Sequence, residues 1–164
     1  MENGMERVNR ILNNGKYKEL VAEIDELEKD RIYCHHDMDH CLDVARIATI
    51  IAGEEHLDIS REIIYATALL HDIGRAEQYK NEIEHELAGA AIAPSILEEC
   101  GFNEDETNDI VVAILNHGNE QIMEDRDLSG IIYRADKASR KCYVCKAIDT
   151  CTKPEEKIVR DIRY

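Results

Sequence analysis

The sequence has no tryptophan and a single phenylalanine, so a core has to be assembled from isoleucine, leucine, valine and alanine. Only two prolines interrupt the 164 residues. No apolar run approaches the roughly 20 residues needed to cross a bilayer. The start, Met1-Glu2-Asn3-Gly4, has neither the basic nor the apolar stretch of a signal peptide, and the expectation is a cytoplasmic protein. Positive charge is scarce as well. Twenty Lys and Arg against 35 Asp and Glu leave a formal charge of −15. That balance argues against a sequence-independent grip on long nucleic acid and against docking to an anionic membrane. The basic residues that remain gather at Arg134, Lys137, Arg140 and Lys141, a local excess compatible with a small phosphorylated substrate.

What the chain does contain is helical periodicity almost from end to end. Leu20, Ile24 and Leu27 recur at helical spacing between about Tyr17 and Asp30. The next helix, from about Met38 to Gly53, places His40, Val44, Ile47 and Ile51 on one face. Ser60 is the natural N-cap of a third, which runs to His71 with Gly74 as its stop. A fourth covers Glu84 to Cys100, with a kink or break expected at Pro94, and a fifth covers Asp105 to His117. Asp127 to Arg140 forms the last. Strand signals, repeats and linkers are lacking. The fold class is all-α, a single-domain bundle over 1–164. It divides into an N-terminal helical segment (1–30), a core (33–140) and a cysteine-containing tail (141–164). The amphipathic first helix is free to pack on its own domain or against a second copy, so a homodimer stays open.

The chemistry sits at the helix ends. His71-Asp72 closes an apolar helix, and burying an imidazole beside a carboxylate is costly unless a cation satisfies both. His40 precedes the pair; His85, His117 and Asp136 follow it, each on or beside an apolar stripe. Any one of these histidines alone is more simply a satisfied core or surface residue. As a group they read as a metal site collected from several helices. His35 and His36, a turn before His40, could reach the same site, but they fall at a helix start and are expected to face solvent, and His56, among acidic neighbours, is expected at the surface.

The order His40, Leu70-His71-Asp72-Ile73-Gly74, then Ala135-Asp136-Lys137 resembles the HD superfamily of metal-dependent phosphohydrolases, over about Tyr33 to Arg140. The resemblance implies that His40, His71, Asp72 and Asp136 ligate a metal. Members with two metals add two histidines where His85 and His117 stand, and Asp72 would then bridge the ions; the alternative for both histidines is a substrate-binding or general-acid role beside a single ion. Some of those members carry a His-His pair where this chain has His117-Gly118. The implied cofactors are one or two divalent transition metals (Fe, Mn, Zn, Ni or Co). The implied reaction is attack of metal-activated water on a phosphate ester, with Asp72, His85 and His117 in catalytic roles. Arg75 and Lys137 would hold substrate phosphate oxygens, the alternative for each being an ordinary surface salt bridge. The resemblance supplies a reaction class and leaves the substrate open, a nucleotide being the leading expectation. Two rival functions go with it: a di-iron oxygenase of the same family, and a metal-bearing nucleotide sensor with little turnover.

Six cysteines in a reducing compartment read as thiols or metal ligands rather than disulfides. Cys142, Cys145 and Cys151 form C-x2-C-x5-C, and a tetrahedral site or cubane needs a fourth thiolate. Cys34 is the leading candidate for it, with Cys41 behind it and Cys100 expected to pack in apolar surroundings. The pattern resembles, in spacing only, that of nucleases stapled by a [4Fe–4S] cluster. Zinc is the competing occupant, and free thiols are the simplest alternative.

Overall fold

A computed structural model describes residues 4–164. Among them there are no strands, and the architecture is the expected all-α bundle. The helices are α1 (Glu6–Asn13), α2 (Gly15–Glu28), α3 (Met38–Glu54), α4 (Arg61–Leu70), α5 (Arg75–Asn81), α6 (His85–Cys100), α7 (Glu104–Asn116) and α8 (Leu128–Ala138). Short 3-10 turns cover Glu120–Ile122 and three places in the tail.

Local chemistry sets most of the helix starts. Asn14, Asp37 and Asp127 each accept a backbone N–H three residues on, and Asn103 forms a reciprocal capping box with Glu106. Ser60 stands at the N-cap of α4, but its hydroxyl makes no capping bond. Helix α6 runs unbroken through Pro94, so the expected break is absent. The expected stop at Gly74 is also corrected. Helix α4 ends at Leu70, and Gly74 sits at the N-cap of α5 with φ of −81°, outside the left-handed region.

Helices α3, α4, α6, α7 and α8 pack around a core of Val44, Ile64, Leu70, Ile96, Ile114 and Ile131, all essentially inaccessible to solvent. Helix α1 closes that core from outside through Val8 and Ile11. Its Arg7 bridges Glu62 of α4 (2.7 Å) and Glu106 of α7 (2.6 Å) and stacks over Phe102. The N-terminal segment therefore packs on its own domain. From Lys141 to Tyr164, by contrast, Cys142 is the one buried residue.

A buried carboxylate ties α2 to the start of α3. Glu28, 3 % exposed, accepts hydrogen bonds from the His36 backbone N–H (2.8 Å), the His36 ring and the Tyr79 hydroxyl. Burial pushes its pKa up, but these donors outweigh burial and hold it at about 2. His36 is consequently a sheltered residue, 11 % exposed, and the expectation that it faces solvent is overturned. His35, 42 % exposed, does face solvent. Glu28→Ala leaves three donors without an acceptor and should cost about 2 kcal/mol in urea unfolding at neutral pH. Because the folded pKa is depressed, this contribution is present above the ordinary carboxylate range and is lost as pH falls toward 2. The gap between parent and variant should therefore shrink in acid.

Candidate metal centre

Five helix ends meet at Asp72. His71 and His117 are the C-cap residues of α4 and α7, His85 opens α6, His40 lies in the first turn of α3, and Asp136 comes from the last turn of α8. The six residues expected from the sequence are thus brought to one place. They fall into two groups that share Asp72.

On one side, Asp72 Oδ2 lies 3.0 Å from His71 Nε2 and 3.4 Å from His40 Nε2, and Asp136 Oδ1 lies 3.4 Å from His40 Nε2. On the other, Asp72 Oδ1 lies 3.4 Å from His85 Nε2 and 3.6 Å from His117 Nε2. The two oxygens of one carboxylate therefore face different histidine pairs.

The backbone fixes which ring nitrogen carries the proton. His71 Nδ1 lies 2.7 Å from the Ala68 carbonyl, and His117 Nδ1 lies 2.7 Å from the Ile114 carbonyl. A carbonyl can only accept, so Nδ1 is the donor in both rings. Each ring thereby satisfies one of the carbonyls left open at its helix end. His40 Nδ1 faces the Ser139 hydroxyl at 3.3 Å, and that hydroxyl donates to the Asp136 carbonyl (2.7 Å), leaving a lone pair for the imidazole N–H. His85 Nδ1 lies 3.1 Å from a Glu86 carboxylate oxygen but is buried without a hydrogen-bond partner. When neutral, the rings of His40, His71 and His117 held this way turn their Nε2 lone pairs inward.

This arrangement is unfavourable without a cation. The Nε2 atoms of His40 and His71 are 3.2 Å apart, and those of His85 and His117 are 3.1 Å apart. Metal–nitrogen bonds of about 2.1 Å at right angles would place two ligand nitrogens about 3.0 Å apart, which these separations match. Asp72 Oδ2 is also buried without a hydrogen-bond partner. The donor set consequently fits two divalent ions, one that His40, His71 and Asp72 would hold with Asp136 beside the two histidines, the other that Asp72, His85 and His117 would hold.

The local electrostatics agree. Burial disfavours a charged His71, but the Asp72 and Asp136 carboxylates outweigh it and push its pKa up to about 10, a demand for positive charge. Asp72 and Asp136 are themselves held well below the carboxylate range despite their burial, by the neighbouring imidazoles, Arg75 and Lys137. Burial and the Arg75 cation lower His85 to about 3, which keeps it a neutral ligand.

Both cations expected to meet phosphate lie at the rim of the centre. Arg75 Nε donates to Asp72 Oδ1 (2.9 Å), and Lys137 Nζ lies 2.6 Å from Asp136 Oδ2. Each therefore orients a ligand carboxylate, and each also lines a cavity of about 470 Å³ that opens onto His40, His85, His117 and Asp136. His36 and Ser139 line it too. His36, one helical turn before His40, was within reach of the site on spacing, whereas Ser139 had no sequence signal because an isolated serine carries no motif. Cys34, Cys142, Cys145 and Cys151 border the same cavity, while Cys41 and Cys100 are buried in the core.

If the two groups act as separate sites, His85→Ala should release one ion and retain the other. Elemental analysis of the dialysed variant should then find half the parent's divalent metal.

Comparison with known proteins agrees with this centre. A model of the HD domain matches residues 37–141. An uncharacterized protein of Clostridium beijerinckii is 43 % identical over 153 residues, covering 93 % of this chain and 96 % of its own. Ribonuclease Y of Acidothermus cellulolyticus is 33 % identical over 121 residues, 74 % of this chain and 22 % of the enzyme, and that of Mycoplasma capricolum is 30 % identical over 150 residues, 90 % and 27 %. The chain thus spans about a quarter of the length of the ribonuclease Y relatives. A crystal structure of a predicted HD superfamily hydrolase from an uncultured Thermotogales bacterium superposes with a TM-score of 0.60 at 25 % identity, over 86 % of this chain and 80 % of that one.

Proposed function

The chain belongs to the HD-domain family, and on that premise we propose that it is a metal-dependent phosphohydrolase acting on a small phosphate ester, with a nucleotide as the substrate class. The observation that carries the reading is the division of the two Asp72 oxygens between two histidine groups beside an open cavity. Two divalent transition ions bound there would lower the pKa of a water molecule and polarise a phosphoryl oxygen.

The chain's own residues account for the rest. Asp72, fixed by Arg75 on one oxygen, sets the separation of the two groups. His85 and His117 face inward, and burial together with the Arg75 cation keeps His85 neutral. Lys137, with 31 % of its side chain exposed, reaches into the cavity where charge would build on phosphoryl oxygens. Arg75, 20 % exposed, offers a guanidinium edge on the opposite metal group. A 470 Å³ cavity suits a ligand of nucleotide size. The formal charge of −15 disfavours a long polyanion that must lie along the surface.

The similarity to ribonuclease Y gives one specific alternative, a phosphodiester within a short single-stranded RNA. A substrate panel separates the cases. Nucleoside mono- and triphosphates, cyclic and linear dinucleotides and a short RNA are each incubated with Mn(II), Fe(II) or Co(II). Release from small nucleotides supports the proposal, and cleavage confined to RNA moves it to the diesterase. No release from any ester, with Fe(II)-dependent oxygen uptake instead, would favour the oxygenase chemistry of the same fold. Tight nucleotide binding with no turnover would favour a sensor. Within this scheme Lys137→Ala should lower kcat by about 10- to 100-fold while leaving metal content unchanged, as steady-state rates and elemental analysis would show.

A further inference from the structure

The four cysteines around the cavity are free thiols that the hydrolytic centre does not use. Cys34 comes from the segment joining α2 to α3, and Cys142, Cys145 and Cys151 come from the tail beyond α8. The two segments are tied together where the cysteines lie. The Tyr33 hydroxyl donates to the Thr150 carbonyl at 2.8 Å, linking the residue before Cys34 to the residue before Cys151. We infer that Cys34, Cys142, Cys145 and Cys151 hold a [4Fe–4S] cluster that fastens the tail against the cavity.

Three further observations support it. The tail has almost no core of its own: it consists of one-turn 3-10 helices and irregular backbone, with Val144 68 % exposed and Cys142 alone buried. A segment that buries so little apolar surface needs a covalent or metal crosslink to hold one conformation. The sulfur spacing then chooses the occupant. Tetrahedral zinc with bonds of about 2.3 Å draws its sulfurs to within about 4 Å of each other. Among the described residues no three cysteine sulfurs lie within 4.8 Å of one another. A cubane, by contrast, places its own iron and sulfide atoms between the four thiolates and so needs a wider ring of ligands. Finally, a thiolate-ligated cluster is anionic. In a chain of formal charge −15, Arg31, Arg140, Lys141 and Lys153 nonetheless border this cavity. The role is structural: the cluster would fix one boundary of the substrate cavity and make the position of the tail depend on iron and sulfide.

The test is purification of the full chain under anaerobic conditions, with iron, zinc and acid-labile sulfide measured alongside the visible spectrum. The parent should be brown and contain sulfide equal to the cluster iron. His71→Ala should lose iron from the hydrolytic centre and keep all of the sulfide. Cys142→Ser/Cys145→Ser should lose the sulfide and colour with helical circular dichroism unchanged, and trypsin should then cut rapidly after Lys146. Cys100→Ser should match the parent. A colourless protein without sulfide, zinc in place of iron, or sulfide that survives the double substitution would each overturn the assignment.

Discussion

Asp72→Ala should release both metal ions and lower hydrolysis on the order of 10³-fold or more, because one carboxylate serves both histidine groups. No other single ligand has that reach. His40, His71 and Asp136 serve one group, and His85 and His117 serve the other. A second consequence appears in stability. A metal that binds only the folded chain, at about 100 to 1,000 times its dissociation constant, adds about 3 to 4 kcal/mol. The thermal midpoint of the parent should therefore rise when Mn(II) is added and that of Asp72→Ala should not. Equal midpoint shifts in the two proteins would place the metal elsewhere. Circular dichroism in the presence of chelator serves as the folding control, since the helical core of Ile64, Leu70, Ile114 and Ile131 does not depend on the carboxylate.

Gly74→Ala should bring a large loss of stability. A β-carbon at Gly74 would lie 2.2 Å from the His85 carbonyl oxygen and 2.5 Å from the Gly89 amide nitrogen. Both are backbone atoms, so no side-chain rotation relieves the overlap, and α6 must move away from α5. Overpacking of this kind costs about 3 kcal/mol or more, which in a chain of this size lowers the midpoint by roughly 6 to 12 °C. The chemistry should fail with it, because α6 carries His85 at its first residue. Separating α6 from α5 moves His85 from Asp72 and weakens the second metal group. Gly53→Ala is the natural contrast: nothing lies within 4 Å of its added carbon, and it sits within α3. That change should be neutral or stabilising by up to about 1 kcal/mol. A Gly74→Ala protein as stable as Gly53→Ala would mean that α5 and α6 do not meet this closely.

These two residues also mark how far the sequence could be read. His71-Asp72 and its partners were legible because each metal ligand ends or begins a strongly periodic helix, where the apolar stripe says which way the side chain faces. Their convergence had no local signature, and it came from the HD resemblance. Gly74 was legible only as a helix stop. Its actual constraint is contact with the backbone of α6, a tertiary fact that no spacing encodes. The short helices α1 and α5 escaped for a related reason: α1 buries two residues, Val8 and Ile11, and α5 buries Ala76, too few to set a period. His36 was misplaced because helix-start position predicts exposure, whereas Glu28 and Tyr79, from other helices, shelter it. The position of Cys34 just before His40, conversely, anticipated that this segment and the tail would meet, as the hydrogen bond from Tyr33 to Thr150 shows.

Hydrolysis of a phosphate ester by two ions sharing Asp72 is read from a metal titration of activity. Chelated parent protein is titrated with Mn(II) while release of nitrophenol from bis(p-nitrophenyl) phosphate is followed, with Asp72→Ala treated identically. The rate should climb until two equivalents per chain are bound and then level, with no rise in the variant. A rate already complete at one equivalent, or release that is independent of metal or unchanged by loss of Asp72, would contradict it.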